Sequence, residues 1–166
     1  FFSTHTPESE ISACLVGSEM CIRDRDKDAR WNMMMASTEG AMAFSKGLGA
    51  VHSMSHAAGA NQELKLHHGT LNGVILPSVL RFNHDHIGNK YSRILRAMGK
   101  NESIDLANEI EKLNERIGLP KGLAEMGVTE NMIPELVAHS ITDPSNFTSP
   151  KVPTEKEWEK LFLEAM

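Results

Sequence analysis

The sequence has few of the features that mark disulfide-stabilised, nucleic-acid-binding or membrane-spanning proteins. Only two of its 166 residues are cysteines, Cys14 and Cys21, and both precede residue 26, so no disulfide framework is expected in the remainder. The 17 basic residues are outnumbered by 22 acidic ones, and the net charge of -5 disfavours non-specific binding to nucleic acid or to an acidic membrane surface. No apolar run approaches the roughly 18 to 20 residues of a transmembrane helix. We therefore expect neither nucleic acid nor a membrane as a partner.

Aromatic residues are also scarce, and this bears on the fold class. They make up 5% of the chain, whereas methionine occurs ten times. Because strands concentrate β-branched and aromatic residues, this balance favours packed helices over a sheet. The hydrophobic share of 40% and the charged share of 23% are typical of a soluble globular protein. The prediction is one all-α domain.

The first 25 residues differ in character from the rest of the chain. The chain begins Phe1-Phe2 and lacks the basic and continuous apolar segments of a signal peptide, so we expect a cytoplasmic protein. Residues 12–25 resemble the translation of sequencing-adaptor DNA in metagenomic gene assemblies. We therefore predict an extraneous or disordered tail over residues 1–25 and a helical domain over residues 26–166.

From residue 26 onward, apolar residues recur at helical spacing between clear breaks. Helices are predicted over residues 28–44, 51–56, 68–82, 91–98 and 103–117, from residue 129, and after residue 154. We expect Pro77 to kink the third helix and Thr129 to act as an N-cap. Thr154 and Glu157 fit a capping box. The composition of residues 28–44 fits a largely buried helix, with the methionines at positions 33–35 packed in the core.

Clustered histidines bear most directly on function. Six of the eight lie within a span of 35 residues: His52, His56, His67, His68, His84 and His86. His52 and His56 are four residues apart, so a helix places them one turn apart on the same face, where two imidazoles can converge on one ion or substrate. Two interpretations stay open on spacing alone. The cluster is either a metal or catalytic site, or a set of polar residues scattered at helix ends.

Two other kinds of site are excluded by the residues around His52. A zinc protease needs a glutamate directly after its first motif histidine, but Ser53 follows His52. Gly47 and Gly49 begin like a dinucleotide-binding fingerprint, but His52 occupies the place of the third glycine and the preceding segment is helical. No Ser-His-Asp order, Walker loop or Cys-x-x-Cys pattern offers a rival reaction.

Three segments around these histidines resemble the signature of iron-containing (group III) alcohol dehydrogenases. They read AFSKGLGAVHSMSHAAG (residues 43–59), LHHGTLN (residues 66–72) and LPSVLRFN (residues 76–83). The resemblance continues through IGLP (residues 117–120) to the closing loop at residues 146–150. It implies the all-α, multi-helical C-terminal domain of the dehydroquinate synthase-like fold, with the N-terminal nucleotide-binding domain absent from this chain.

The resemblance also implies cofactors and roles for individual residues. Members of the family bind Fe(II), or sometimes zinc, and use NAD or NADP to interconvert an alcohol with an aldehyde or ketone. His52 and His68 match two metal ligands. His56 matches a catalytic histidine that lies near the nicotinamide and handles a proton, and Phe44 matches an aromatic residue at the substrate pocket. A homodimer is expected for the full-length parent.

The chain departs from the family pattern where the other two ligands belong. The family supplies an aspartate and a histidine from an Asp-x-x-x-His segment, whereas Asp24 and Asp26 have no histidine four residues on. We therefore expect the chain alone to be inactive. One alternative is a stand-alone, non-catalytic helical module that binds a metal or a partner. Another is a relative that performs a different metal-assisted reaction, as glycerol dehydrogenase and dehydroquinate synthase do.

Four further histidines are not expected to bind the metal. His67 is predicted either to be structural or to support the metal ligands from next to them, and His84, His86 and His139 are predicted to lie at the surface or in helix caps.

Overall fold

The computed structural model describes residues 27–166, and this part of the chain is all-helical. It contains seven α-helices: α1 (Lys27–Phe44), α2 (Ala50–Gly59), α3 (His68–Asn83), α4 (Lys90–Ala97), α5 (Leu106–Arg116), α6 (Ile133–Thr142) and α7 (Glu155–Glu164). Four 3-10 turns span His84–His86, Leu123–Met126, Glu130–Met132 and Pro144–Thr148. The all-α prediction is confirmed. The tail predicted over residues 1–25 lies outside the described residues.

The main hydrophobic core lies among α2, α3, α6 and α7. Its largest side chains are each 0% exposed, and they are Met54, Leu71, Ile75, Trp158 and Phe162. Helix α3 is apolar on most of its surface, which is the pattern of a helix buried between neighbours. It continues through Pro77 to Asn83, and the kink expected there stays a prediction.

A second, smaller core lies on the other side of α3. Leu76 and Leu80 of α3 pack against buried residues of the α4 and α5 region, which are Leu95, Met98, Leu106, Ile110 and Leu113. Helix α3 thus joins both cores. Any displacement of α3 would therefore also move His68, the first residue of the helix.

Three predicted helix starts differ in outcome. Helix α7 begins with the predicted capping box, in which the Thr154 backbone N–H donates to the Glu157 carboxylate at 2.9 Å. Helix α5 begins later than predicted, because the Asp105 carboxylate caps it by accepting the backbone N–H of Asn108 at 3.0 Å. Thr129 makes no capping hydrogen bond, because its hydroxyl is directed to the Asn131 side chain and a 3-10 turn precedes α6.

Helix α1 is correctly predicted as a helix, but its predicted burial is wrong. Trp31 is 63% exposed, Met34 is 64% exposed and Met42 is 71% exposed, and Met35 is exposed as well. The apolar residues of α1 do not form one stripe, so its composition indicates a helix without indicating which face would be covered. None of the helices in residues 27–166 is long and apolar enough to cross a membrane.

A tight turn between α1 and α2 sets where α2 begins. Gly47 has φ +100°, a conformation that L-residues rarely adopt, and a Cβ there would lie 2.5 Å from the Thr148 side chain. The Thr148 hydroxyl donates to the Leu48 carbonyl. The Pro144–Thr148 turn is therefore held against the start of α2, and this contact brings the chain that follows α6 to the histidines of α2.

Candidate metal and catalytic site

Three imidazoles converge at one end of the α2 and α3 pair. The ring centroids of His52 and His56 are 5.8 Å apart, those of His52 and His68 are 5.4 Å apart, and those of His56 and His68 are 5.3 Å apart. We call these three residues the histidine cluster. The structure therefore brings together His52, His56 and His68, the three histidines to which the sequence analysis assigns a functional role.

Local geometry explains why His68 joins the cluster and its neighbour His67 does not. His67 is the N-cap of α3, and its Nδ1 accepts the backbone N–H of Thr70 at 3.3 Å. The imidazole of His67 is thus used to begin the helix. His68 occupies the first helical position, and the packing of α3 on α2 carries its ring to His52 and His56. The structural role predicted for His67 takes the form of this cap.

The hydrogen bonds of His68 determine which nitrogen carries its proton. The buried hydroxyl of Ser55 donates to the His52 carbonyl at 3.1 Å, and this uses its only hydrogen. At the 3.4 Å contact between Ser55 Oγ and His68 Nδ1, the imidazole is therefore the donor. His68 Nε2 then carries a lone pair, and it accepts from the Asn72 side-chain amide at 3.1 Å. A metal ion bound at Nε2 would take the place of this hydrogen bond from Asn72.

Electrostatics in the cluster favour neutral imidazoles. Burial lowers the pKa of His52, and repulsion by His68 and His56 lowers it further, although Asp143 opposes the shift. Burial also lowers the pKa of His68, with added repulsion from His56 and His67. Both rings therefore favour the uncharged form near neutral pH, which is the form that binds transition metals.

A carboxylate that the sequence analysis did not single out lies beside the cluster. Asp143 Oδ2 is 2.9 Å from His56 Nδ1, and Asp143 is only 9% exposed. Burial alone would raise the pKa of Asp143, but hydrogen bonds from Ser145 and His56 outweigh it and hold the pKa below its usual range. Its only local signal is an Asp-Pro-Ser turn. Nothing in the sequence links that turn to His56, which lies 87 residues away along the chain.

Phe44, predicted to line the substrate pocket, lies at the edge of the cluster. It is the last residue of α1, and its ring meets that of His52 edge-on at a centroid distance of 5.8 Å. The Phe44 side chain is 55% exposed. An apolar ring therefore borders the histidines on the side where α1 ends.

Comparison with known proteins identifies the family. The model of the Fe-containing alcohol dehydrogenase family, C-terminal, matches residues 15–166. The chain belongs to the iron-containing alcohol dehydrogenase family.

Several relatives in the iron-containing alcohol dehydrogenase family cover most of this chain. A 4-hydroxybutyrate dehydrogenase from Cupriavidus necator is 43% identical over 156 residues, which are 89% of this chain and 41% of that protein. A lactaldehyde reductase from Escherichia coli (strain K12) is 34% identical over 82% of this chain and 38% of its own length. A solved structure of a 1,3-propanediol oxidoreductase matches with a TM-score of 0.82 at 28% identity, covering 98% of this chain and 45% of that one. The chain thus spans about two fifths of the length of the curated relatives.

The iron-containing alcohol dehydrogenase family implies a divalent metal, and His52 and His68 fit part of such a site. Both imidazoles favour the neutral form, which suits iron and zinc, and a hydrogen on His68 Nδ1 leaves the lone pair on Nε2. In residues 27–166, however, no group of three or more histidine, cysteine, aspartate or glutamate side chains is arranged to hold a metal ion. The described residues therefore fit as part of a ligand set rather than as a complete one.

His84, His86 and His139 lie outside the cluster, as predicted. The side chain of His84 is 74% exposed and pairs with Asp85 at 3.1 Å. His86 and His139 are also exposed. These three residues provide matched controls for substitutions in the cluster.

Proposed function

We propose that this chain is the helical C-terminal domain of a metal-dependent alcohol dehydrogenase that transfers a hydride between an alcohol and NAD or NADP. The observation that carries the proposal is the convergence of three imidazoles from α2 and α3 next to a buried carboxylate. Family membership supports the reaction class. In this proposal residues 26–166 form the domain and residues 1–25 are extraneous, although the family match begins at residue 15.

His52 and His68 would hold the metal, Fe(II) or zinc, through neutral imidazole nitrogens. When bound, a divalent ion supplies Lewis acidity to an alcohol or carbonyl oxygen. The other ligands and the nucleotide-binding domain would come from the remainder of the full-length protein, because this chain spans about two fifths of the length of its relatives. The full-length protein would be a homodimer.

His56 would act as the catalytic histidine and lie against the nicotinamide. Its Nδ1 faces Asp143, so Nε2 is free to accept the hydroxyl proton of the substrate. The His56 side chain is 38% exposed, which leaves a route for passing that proton to water. Phe44 would line the substrate pocket and limit the access of water to His52.

The substrate would be a small alcohol or the corresponding aldehyde. Three of the relatives that cover most of the chain are named for 4-hydroxybutyrate, lactaldehyde and 1,3-propanediol, all of which are short molecules. Because the 4-hydroxybutyrate dehydrogenase is 43% identical to this chain, a short ω-hydroxy acid is the first substrate to test.

Activity of the full-length protein tests the proposal. With Fe(II) or zinc present, we expect alcohol-dependent reduction of NAD or NADP, measured by nicotinamide absorbance. The His52→Ala and His68→Ala variants should each lose more than about 100-fold in activity, since even outer-shell partners of metal ligands cost roughly 10- to 100-fold. His84→Ala is the matched control and should retain full activity. Equal activity in all variants would contradict the proposal.

Metal titration of the 166-residue chain distinguishes the enzyme domain from a stand-alone module. We expect only weak zinc binding by calorimetry, because two imidazoles form part of a ligand set. Tight binding of one zinc ion per chain would instead favour the non-catalytic metal-binding module.

A further inference from the structure

A buried carboxylate faces one nitrogen of the proposed catalytic histidine. Asp143 Oδ2 lies 2.9 Å from His56 Nδ1, and Asp143 reaches it from the turn that follows α6. We propose that Asp143 is a positioning residue that holds His56 in the Nδ1–H tautomer and leaves the lone pair on Nε2. This inference rests on the proposed function, in which His56 Nε2 receives the substrate proton.

The two oxygens of Asp143 have separate partners. Oδ1 accepts the backbone N–H of Ser145 at 2.8 Å and so caps the Pro144–Thr148 turn, whereas Oδ2 faces His56. An ionised carboxylate can only accept hydrogen bonds, so the hydrogen between Asp143 and His56 must be on Nδ1. Because Asp143 has a lowered pKa, it is ionised at neutral pH. The contact therefore fixes the hydrogen on Nδ1 of His56.

The carboxylate is itself held in place from both ends of its turn. The cap to Ser145 orients Asp143 at the beginning, and the Thr148 hydroxyl bonds the Leu48 carbonyl at the end. The turn packs against α2, the helix that carries His56. An aspartate can cap a helix or turn without also contacting a histidine. Asp105 caps α5 in this way, and none of its hydrogen bonds in the described residues involves a histidine.

The substitution Asp143→Asn separates the capping role from the positioning role. Asparagine keeps one oxygen that can accept the Ser145 N–H, so the turn can still be capped. Its amide nitrogen would stand where Oδ2 stands now and would donate to His56 Nδ1. The hydrogen on His56 would then move to Nε2. The variant therefore reverses the tautomer without requiring the loss of the turn.

Nitrogen NMR of the 15N-labelled, metal-free 166-residue chain measures the tautomer directly. The protonated and unprotonated ring nitrogens of a neutral imidazole give well-separated resonances, and loss of one set in His56→Gln assigns the signals of His56. In a sample at about pH 8.5 we expect Nδ1–H to exceed Nε2–H by about tenfold or more in the wild-type chain. Asp143→Asn should reverse this ratio, and the control Asp105→Asn should leave it unchanged.

Either of two results would overturn the inference: a wild-type His56 that is mainly Nε2–H, or an Asp143→Asn chain that keeps Nδ1–H. The wild-type measurement decides the matter if the variant does not fold. The readout does not depend on metal, nucleotide or substrate. An inactive full-length protein with the expected tautomer would therefore count against the proposed function alone, and an active one with the wrong tautomer against Asp143 alone.

Discussion

Substitution of Gly47 tests the turn that positions the histidine cluster. Replacing Gly47 with alanine adds two costs. An L-residue in the left-handed region is destabilised by roughly 1 to 2 kcal/mol, and Gly47 has φ +100°. The added Cβ would also lie 2.5 Å from the Thr148 side chain, and overpacking of this kind costs typically about 1 to 3 kcal/mol. We therefore expect Gly47→Ala to lower the free energy of unfolding by about 2 to 5 kcal/mol.

Gly99 provides the matched control, because it shares the backbone conformation without the contact. Its φ is +70°, and nothing lies within 4 Å of where its Cβ would be. Gly99→Ala should therefore cost only about 1 to 2 kcal/mol. Urea denaturation of the 166-residue chain, followed by circular dichroism, measures both values. The reasoning is refuted if Gly47→Ala is no more destabilising than Gly99→Ala.

The remaining predictions concern the main core, a buried amide and a charged cap. Met54→Ala should lower the free energy of unfolding, measured by urea denaturation, by about 2 to 5 kcal/mol, because Met54 is 0% exposed. The control Met42→Ala, at a position that is 71% exposed, should change it by less than about 0.5 kcal/mol. Asn114→Ala should cost about 1 to 3 kcal/mol in the same assay, since its buried amide donates at 2.7 Å to a backbone carbonyl of α3. Hydrogen bonds from Lys151 and from the Thr154 cap lower the pKa of Glu157 from 4.5 to about 2. The stabilisation from the ionised Glu157 side chain is therefore present above about pH 4.5 and lost as the pH falls toward about 2. Glu157→Gln should flatten the pH dependence of the melting temperature between these two values. An unchanged slope would contradict this role of Glu157.

Local patterns predicted the helices well, and each error has its own physical cause. The capping box at Thr154 was found correctly because it involves residues only three apart. The start of α5 was placed too early, because it was read from the apolar spacing, whereas the cap at Asp105 sets where the helix begins. The burial of α1 was wrong, because burial depends on a partner surface that the helix sequence does not contain.

The candidate site was predicted only in part. Helical spacing placed His52 and His56 on one face, and family resemblance selected His68 over the adjacent His67. The structure supplies the physical reason for that choice, since His67 caps α3 and His68 packs toward α2. His56 and Asp143 meet across 87 residues of sequence, and no local pattern indicated their contact.

By itself, the sequence determined the fold class, most helix boundaries and the pair of histidines on α2. Each of these depends on residues within a few positions of one another, where backbone geometry sets the spacing. Only the tertiary structure decided that α3 would bring His68 to that pair and that the turn after α6 would bring a carboxylate to His56. Such contacts arise from the packing of α2, α3 and α6 around one core, and packing joins side chains that lie far apart along the chain.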